Sequence, residues 1–247
     1  MNHTLFMDIG NSRIKAADFV DGAWRDIASL DTTDADLPVR LQEEVRPYRS
    51  VVVASVRKTL QPDVLGRMVS VPVTGITRYD IPSEKLAYRS VDTLGVDRYL
   101  ACLGAWSEGR AVIVTDAGTA CTIDVMDQAG VYRGGVIMPG LHMLIRALGG
   151  GADGLFDVEP GLPESWPPDT TDSALKAGTT GTFLAAWYDH VRQHQAKWPD
   201  AEVWITGGDA GFLIRNSRIS ANHHPHLVFE GMRKWMDRNR PERLFGG

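Results

Sequence analysis

Asp8-Ile-Gly-Asn-Ser-Arg-Ile-Lys15 is the first stretch of the chain whose residue types and spacing could do chemistry. Phosphoryl transfer needs close backbone approach to phosphates, positive or metal-borne charge, and a group that orients the attacking hydroxyl. Here Gly10 permits a tight bend, Asn11 and Ser12 offer polar contacts, Lys15 can meet a phosphate and Asp8 can face a magnesium ion. Ile9, Arg13 and Ile14 complete a strand-turn-strand pattern. That setting excludes a Walker A loop, which would need GxxxxGK[ST] between a strand and a helix. Taken alone, the segment reads equally well as a polar hairpin with solvent-facing Arg13 and Lys15.

A second segment, Asp116-Ala-Gly-Thr-Ala-Cys-Thr122, again puts a carboxylate, a glycine and hydroxyls where a strand turns back, with Thr119 placed to meet a nucleotide. Threonines capping their own backbone would explain one such hairpin, but two at corresponding places explain less well that way. A third segment, Ile205-Thr-Gly-Gly-Asp-Ala-Gly211, has paired glycines after a strand, which would let a flat nucleoside lie on the backbone; a sharp strand-to-helix turn accounts for it as well. Gly95-Val96-Asp97-Arg98 heads a helical pattern. Asp97 there is the candidate catalytic base, and Arg98 can grip an anionic group bidentately. An aspartate in a first helical turn also complements the helix dipole without any catalytic role.

The elements that must position these residues alternate in an α/β manner. Leu5 to Met7, Ile14 to Val20 and Ala23 to Leu30 read as a three-stranded meander with a turn at Asp21-Gly22. Leu37 to Pro47 then leads into a strand at Ser50 to Ala54. Val96, Tyr99, Leu100, Leu103 and Trp106 recur at helical spacing, with Gly109 as a stop. Ala111 to Thr115, Cys121 to Met126 and Val131 to Ile137 form a second meander. Asp8-x-Gly10 and Asp116-x-Gly118 close the first strand of each, so the pattern is duplicated. The division expected is a lobe at 1–109 and another at 110–247. Gly149 to Gly151 and Pro160 to Pro168 read as loops, Ser173 to Val191 as a helix, and Val203 to Thr206 as a strand.

A net charge of -5 with interspersed signs gives no footprint for nucleic acid or an anionic membrane surface. The start lacks a signal-peptide pattern and no apolar run is long enough to cross a bilayer, so a cytoplasmic protein acting on a small molecule is expected. Cys102 and Cys121 have no metal-ligand spacing and read as buried thiols. His223-His224-Pro225-His226 reads as a polar loop rather than a metal site, and the tryptophans as packing residues.

Hairpin phosphate loop, second hairpin loop, then Gly-Gly segment is an order similar to that of the superfamily of sugar kinases, actin and heat-shock chaperones. More specifically, DIGNSRIK at 8–15, LGVDR at 94–98, DAGTACTID at 116–124 and RGGVIMPGL at 133–141 resemble the type III pantothenate kinases, as does Leu227 to Gly231 near the end. The resemblance implies a two-lobed, duplicated α/β fold of actin-like, ribonuclease H-like type, with mixed sheets and a central nucleotide cleft. It implies transfer of the γ-phosphate of ATP to pantothenate, with magnesium and a monovalent cation such as K+ or NH4+, in a homodimer. By residue matching, Asp8 to Lys15 and Thr119 would bind ATP, Gly95 to Arg98 would bind pantothenate with Asp97 as proton acceptor, and Asp116 would hold the monovalent cation. Tyr88 and Thr171 fall where the family has further pantothenate contacts. The family often has Asn-Pro two residues after that tyrosine, whereas Ser90-Val91 stands here. Two other readings stay open: a non-catalytic regulatory protein of the same fold, and a kinase for a different small hydroxyl acceptor.

Overall fold

The computed structural model describes residues 4–239. In chain order these form β1 (Thr4–Ile9), β2 (Arg13–Val20), β3 (Ala23–Asp31), α1 (Leu37–Val45), β4 (Ser50–Ser55), α2 (Pro62–Met68), β5 (Val73–Ile76) and α3 (Val96–Ala105). There follow β6 (Val112–Ala117), β7 (Ala120–Met126), β8 (Tyr132–Pro139), α4 (Leu141–Gly149), α5 (Thr171–Lys176), α6 (Thr182–Lys197), β9 (Glu202–Thr206), α7 (Ala210–Asn216), β10 (Asn222–His223) and α8 (Leu227–Asn239).

Two sheets carry the fold, with orders β3-β2-β1-β4-β5 and β10-β9-β6-β7-β8. Each is built on one plan. A meander supplies the first strand and its antiparallel neighbour, and the next strand in sequence pairs parallel to the first strand's other edge: β4 on β1, and β9 on β6. The duplication expected from the two Asp-x-Gly segments is therefore present strand for strand, and Asp8 and Asp116 occupy equivalent places near the ends of β1 and β6. Both central strands are buried apolar runs, as strands covered on two faces must be.

The chain divides into two compact units. The first takes 4–106, 130–132 and 226–239 of the described residues, and the second takes 107–129 and 133–225. The core of the first includes Leu5, Met7, Ile14, Leu41, Val53 and Leu65. That of the second includes Ile113, Ile123, Leu141, Phe183, Trp187 and Ile205. Inside it the Trp187 indole N–H donates to Thr115 Oγ1 at 2.9 Å, satisfying a buried polar atom.

A single division after residue 109 does not describe these units, because α8 packs along α3. The cause is backbone proximity: a Cβ on Gly231 would lie 1.9 Å from the Leu100 carbonyl oxygen, and one on Gly104 2.0 Å from that of Leu227. Only glycine at both places lets the helices approach so closely. Lys234 Nζ adds donations to the Gly104 and Trp106 carbonyls, at 2.7 and 2.9 Å, closing the C-terminal end of α3. The helix thus stops at Ala105, and Gly109, with φ of 81°, serves the turn that follows.

Other differences are local. The helix expected over Ser173 to Val191 starts earlier and ends later. It passes through a π-helical stretch at Ala177–Gly181, where Thr179 Oγ1 bonds back to the Leu175 carbonyl. Gly149 ends α4 rather than starting a loop. Cys102 and Cys121 are both buried and neither forms a disulfide.

Candidate active site

In the first unit, β1 and β2 exchange hydrogen bonds up to the Ile9–Ile14 pair, and Asp8 stands opposite Lys15. Gly10, Asn11 and Ser12 make the turn, closed by the Gly10 N–H donating to the Arg13 carbonyl at 2.9 Å. The turn is also tied from outside. Thr32 Oγ1 and Arg57 Nη1 both donate to the Asn11 carbonyl, at 2.8 and 2.7 Å, and the Thr32 N–H donates to the Ser12 carbonyl at 3.0 Å. Asp8 is half-buried while Arg13 and Lys15 are exposed. Asp31, opposite Arg13 in register, is held below the usual carboxylate range by hydrogen bonds from Thr33, with smaller help from the charges of Arg13 and Arg57.

The segment after β4 joins this hairpin to α3. The Val56 N–H donates to the Ile9 carbonyl at 3.1 Å, and Val56 Cγ1 would lie 3.5 Å from a Cβ on Gly95. Gly95 is the residue just before α3 and keeps extended backbone. A side chain there would meet Asp97 Oδ1 at 2.5 Å, so glycine leaves room for that carboxylate. Asp97 sits in the first turn, where its Oδ1 accepts the Arg98 N–H at 2.8 Å. Such a position favours negative charge. Arg98 is buried, 7% exposed, and its guanidinium lies 5.9 Å from the centroid of the Tyr88 ring. Tyr88 in turn packs on Tyr132. Hairpin 8–15, Gly95 to Arg98 and Tyr88 thus belong to one unit, joined through the Val56 segment.

In the second unit Asp116 is paired in register with Thr122 on β7 and Thr206 on β9. The turn Gly118-Thr119 is closed by the Gly118 N–H donating to the Ala120 carbonyl at 3.2 Å, and Thr119 is exposed. Here backbone contact does the tying. A Cβ on Gly140 would fall 2.3 Å from the Gly118 carbonyl oxygen, and one on Gly207 2.5 Å from the Ala117 backbone. The Gly140 N–H donates to the Thr119 carbonyl, and the Asp209 N–H to that of Ala117. Gly207, with φ of 96°, is therefore needed for the turn and the close approach; around Gly208 there is open space. Asp209 Oδ1 lies 3.4 Å from Nε2 of His142 on α4. In the same way Gly135 is required on β8 because a Cβ would lie 2.0 Å from the Ile123 carbonyl oxygen.

Thr171 is the first residue of α5 and is exposed, whereas it is the preceding Thr170 whose hydroxyl accepts the Ser173 N–H. His226 takes part in packing: it stacks on Trp24 and its Nε2 lies 2.8 Å from Asp26 Oδ1. Among the described residues there is no group of three or more histidine, cysteine or acidic side chains able to hold a metal ion, nor a helix long and apolar enough to cross a membrane.

Sequence reasoning missed Thr32 and Arg57, whose contact with the turn depends on the pairing of β3 with β2 and of β4 with β1. It also left Gly135 and Gly140 without roles, although the glycine-rich stretch at 133–141 was a visible signal.

The type III pantothenate kinase family profile matches residues 4–193, spanning both hairpins, Gly95 to Arg98 and the glycines at 135 and 140. This chain belongs to the type III pantothenate kinase family. A type III pantothenate kinase from Alkalilimnicola ehrlichii is 34% identical over 94% of this chain and 97% of its own length. Another from Halorhodospira halophila is 32% identical, over 94% and 96%. Among solved structures, a Baf family protein from Campylobacter jejuni aligns over 96% of this chain and 98% of its own, with a TM-score of 0.62 and 22% identity. The Alp12 filament structure aligns over 95% and 98% with a TM-score of 0.54 and 10% identity. These two likenesses concern the fold alone. The α/β fold class expected of the family, with a duplicated mixed sheet in each of two units, is the one observed.

Proposed function

We propose that this member of the type III pantothenate kinase family transfers the γ-phosphoryl group of ATP to the primary hydroxyl of pantothenate, giving 4'-phosphopantothenate, the first step of coenzyme A biosynthesis. The observation that carries the reading is Asp97 in the first turn of α3 beside buried Arg98, within the stretch that the family profile matches. In the transfer the hydroxyl oxygen forms a bond to the γ-phosphorus, the bond from that phosphorus to the bridging oxygen breaks, and ADP leaves. The hydroxyl proton passes to Asp97, which needs only to orient the nucleophile and accept the proton late.

Asp8 to Lys15 and Thr119 serve ATP in this reading. Gly10 keeps a turn whose peptides can come close to phosphates, Lys15 supplies charge, and Asp8 faces the magnesium that ATP carries. Arg98 takes the carboxylate of pantothenate as a fork, with Tyr88 and Thr171 as further contacts. Asp116 lies in register between Thr122 and Thr206, an oxygen-bearing set that suits a hard monovalent cation such as K+ or NH4+. When bound, that ion would supply positive charge near the phosphates. A cytoplasmic homodimer completes the proposal.

The test follows ADP release by the purified protein given magnesium-ATP and pantothenate, with and without K+, beside Asp97→Asn and a panel of other small hydroxy acids. Turnover with pantothenate alone that needs K+ and is lost in Asp97→Asn supports the reaction, its cation requirement and Asp97 as the base. ATP binding without turnover favours a regulatory protein. Turnover with another hydroxy acid assigns a different acceptor.

A further inference from the structure

We infer that Arg57 and Thr32 are positioning residues for the first phosphate hairpin, fixing the plane of the Asn11–Ser12 peptide in the turn proposed to meet ATP by jointly holding the Asn11 carbonyl. The inference rests on the ATP role proposed for residues 8–15. Its basis is one acceptor with two donors: Arg57 Nη1 at 2.7 Å and Thr32 Oγ1 at 2.8 Å both reach the Asn11 oxygen. In a trans peptide the carbonyl oxygen and the next residue's N–H point to opposite edges of one plane. Two donors that fix the direction of the Asn11 oxygen therefore fix the direction of the Ser12 N–H.

Neither donor is itself loose. The Arg57 N–H donates to Ser55 Oγ, its carbonyl accepts from the Leu60 N–H and from Gln61 Nε2, and its Nε donates to Thr59 Oγ1 at 3.1 Å. Ser55 Oγ also donates to the Leu60 carbonyl, so the 55–60 turn is closed on itself. Thr32 is buried, 6% exposed, and its own N–H holds the Ser12 carbonyl, which pins the next peptide as well. Phosphate-binding turns act through backbone N–H groups whose direction is set before the ligand arrives. This hairpin has a three-residue turn outside any ladder, and needs such an external anchor.

Because the donors share one acceptor, either alone retains most of the orientation. The expected pattern is redundancy. Thr32→Val and Arg57→Gln should each raise KM for ATP by about two- to fivefold, the low end of what a hydrogen bond contributes, because the other donor remains. The double variant should raise it by more than the product of the two single factors, with KM for pantothenate within about twofold of wild type, the interaction being what a double-mutant cycle isolates. Thr32→Ser, which keeps both donations, should behave as wild type, and Arg57→Lys, which keeps the charge but loses the fork, separates orientation from simple electrostatic attraction. Binding of ATP by the wild type is measured first. Its absence would overturn the functional reading and not this assignment. Given wild-type binding, single effects that merely multiply, equal loss of affinity for both substrates, or full rescue by Arg57→Lys would overturn the inference.

Discussion

The two hairpins occupy equivalent places in a duplicated fold, yet they are held by different physics. The 10–12 turn is fixed by side-chain hydrogen bonds from Thr32 and Arg57. The 118–119 turn is fixed by backbone pressed on backbone, at Gly140 and Gly207. Hydrogen bonds to a surface turn are graded, and removing one costs little because water replaces the donor in part. Close backbone contact is steric and tolerates no added carbon. One topology can thus support two turns, one held by replaceable hydrogen bonds and one by steric contact.

The largest effect that would sharpen this contrast is at Gly207. Alanine there combines a backbone conformation disfavoured by about 1–2 kcal/mol with overlap against the Ala117 backbone, itself about 1–3 kcal/mol. Urea unfolding of Gly207→Ala should show a loss near the sum, and a change below about 1 kcal/mol would break the distinction. Next comes Lys234→Met, which removes two charge-assisted donations from the end of α3. We expect a loss of about 1.5–3 kcal/mol, read from the same unfolding curves, since hydrogen bonds from charged groups carry about that much. Smaller still, Thr32→Val and Arg57→Gln should each cost only about 0.5–1.5 kcal/mol of stability, since each leaves the other donor on the Asn11 oxygen and the charged Arg57 donation is exposed to water. Losses as large as that of Gly207→Ala would mean that both turns are rigid alike.

The smallest effect concerns pH. Burial holds His194 on α6 below its usual 6.5, against the opposing pull of its bond to the Ile123 backbone and of nearby Asp124. The unfolded chain therefore takes up this proton more readily than the folded one. Stability associated with the group is complete above pH 6.5 and declines as pH falls through the folded-state value. Replacing it, as in His194→Gln, should flatten the dependence of the unfolding midpoint on pH just below 6.5 while leaving that above it unchanged. An unaltered slope would assign the acid sensitivity elsewhere.

Much of the architecture was legible because it is local. Each Asp-x-Gly sits at a strand end whose alternation and turn chemistry lie within a few neighbouring residues, so both meanders and their equivalence could be read directly. The allegiance of α8 was not legible: it depends on Gly104 and Gly231 meeting across the fold, and a glycine in a helix does not announce its partner. The short α2 and β5 were missed because neither is long enough for a period to emerge from its polar surroundings. In the site, Asp97 and Arg98 could be read from their place at a helix start. Arg57 could not, since only the parallel pairing of β4 on β1 brings it to the Asn11 carbonyl. The paired glycines at 207–208 were visible, but the close approach of the first of them to the Ala117 backbone was not, since it depends on the pairing of β9 with β6.

The most direct test of the central claim is the identity of the product. Purified protein is incubated with magnesium-ATP, K+ and pantothenate, and the products are resolved by mass spectrometry, with ADP counted in parallel. The account predicts one 4'-phosphopantothenate for each ADP, and neither beyond background in Asp97→Asn. Bound ATP with no phosphorylated pantothenate, or ADP formed without it, would contradict the account.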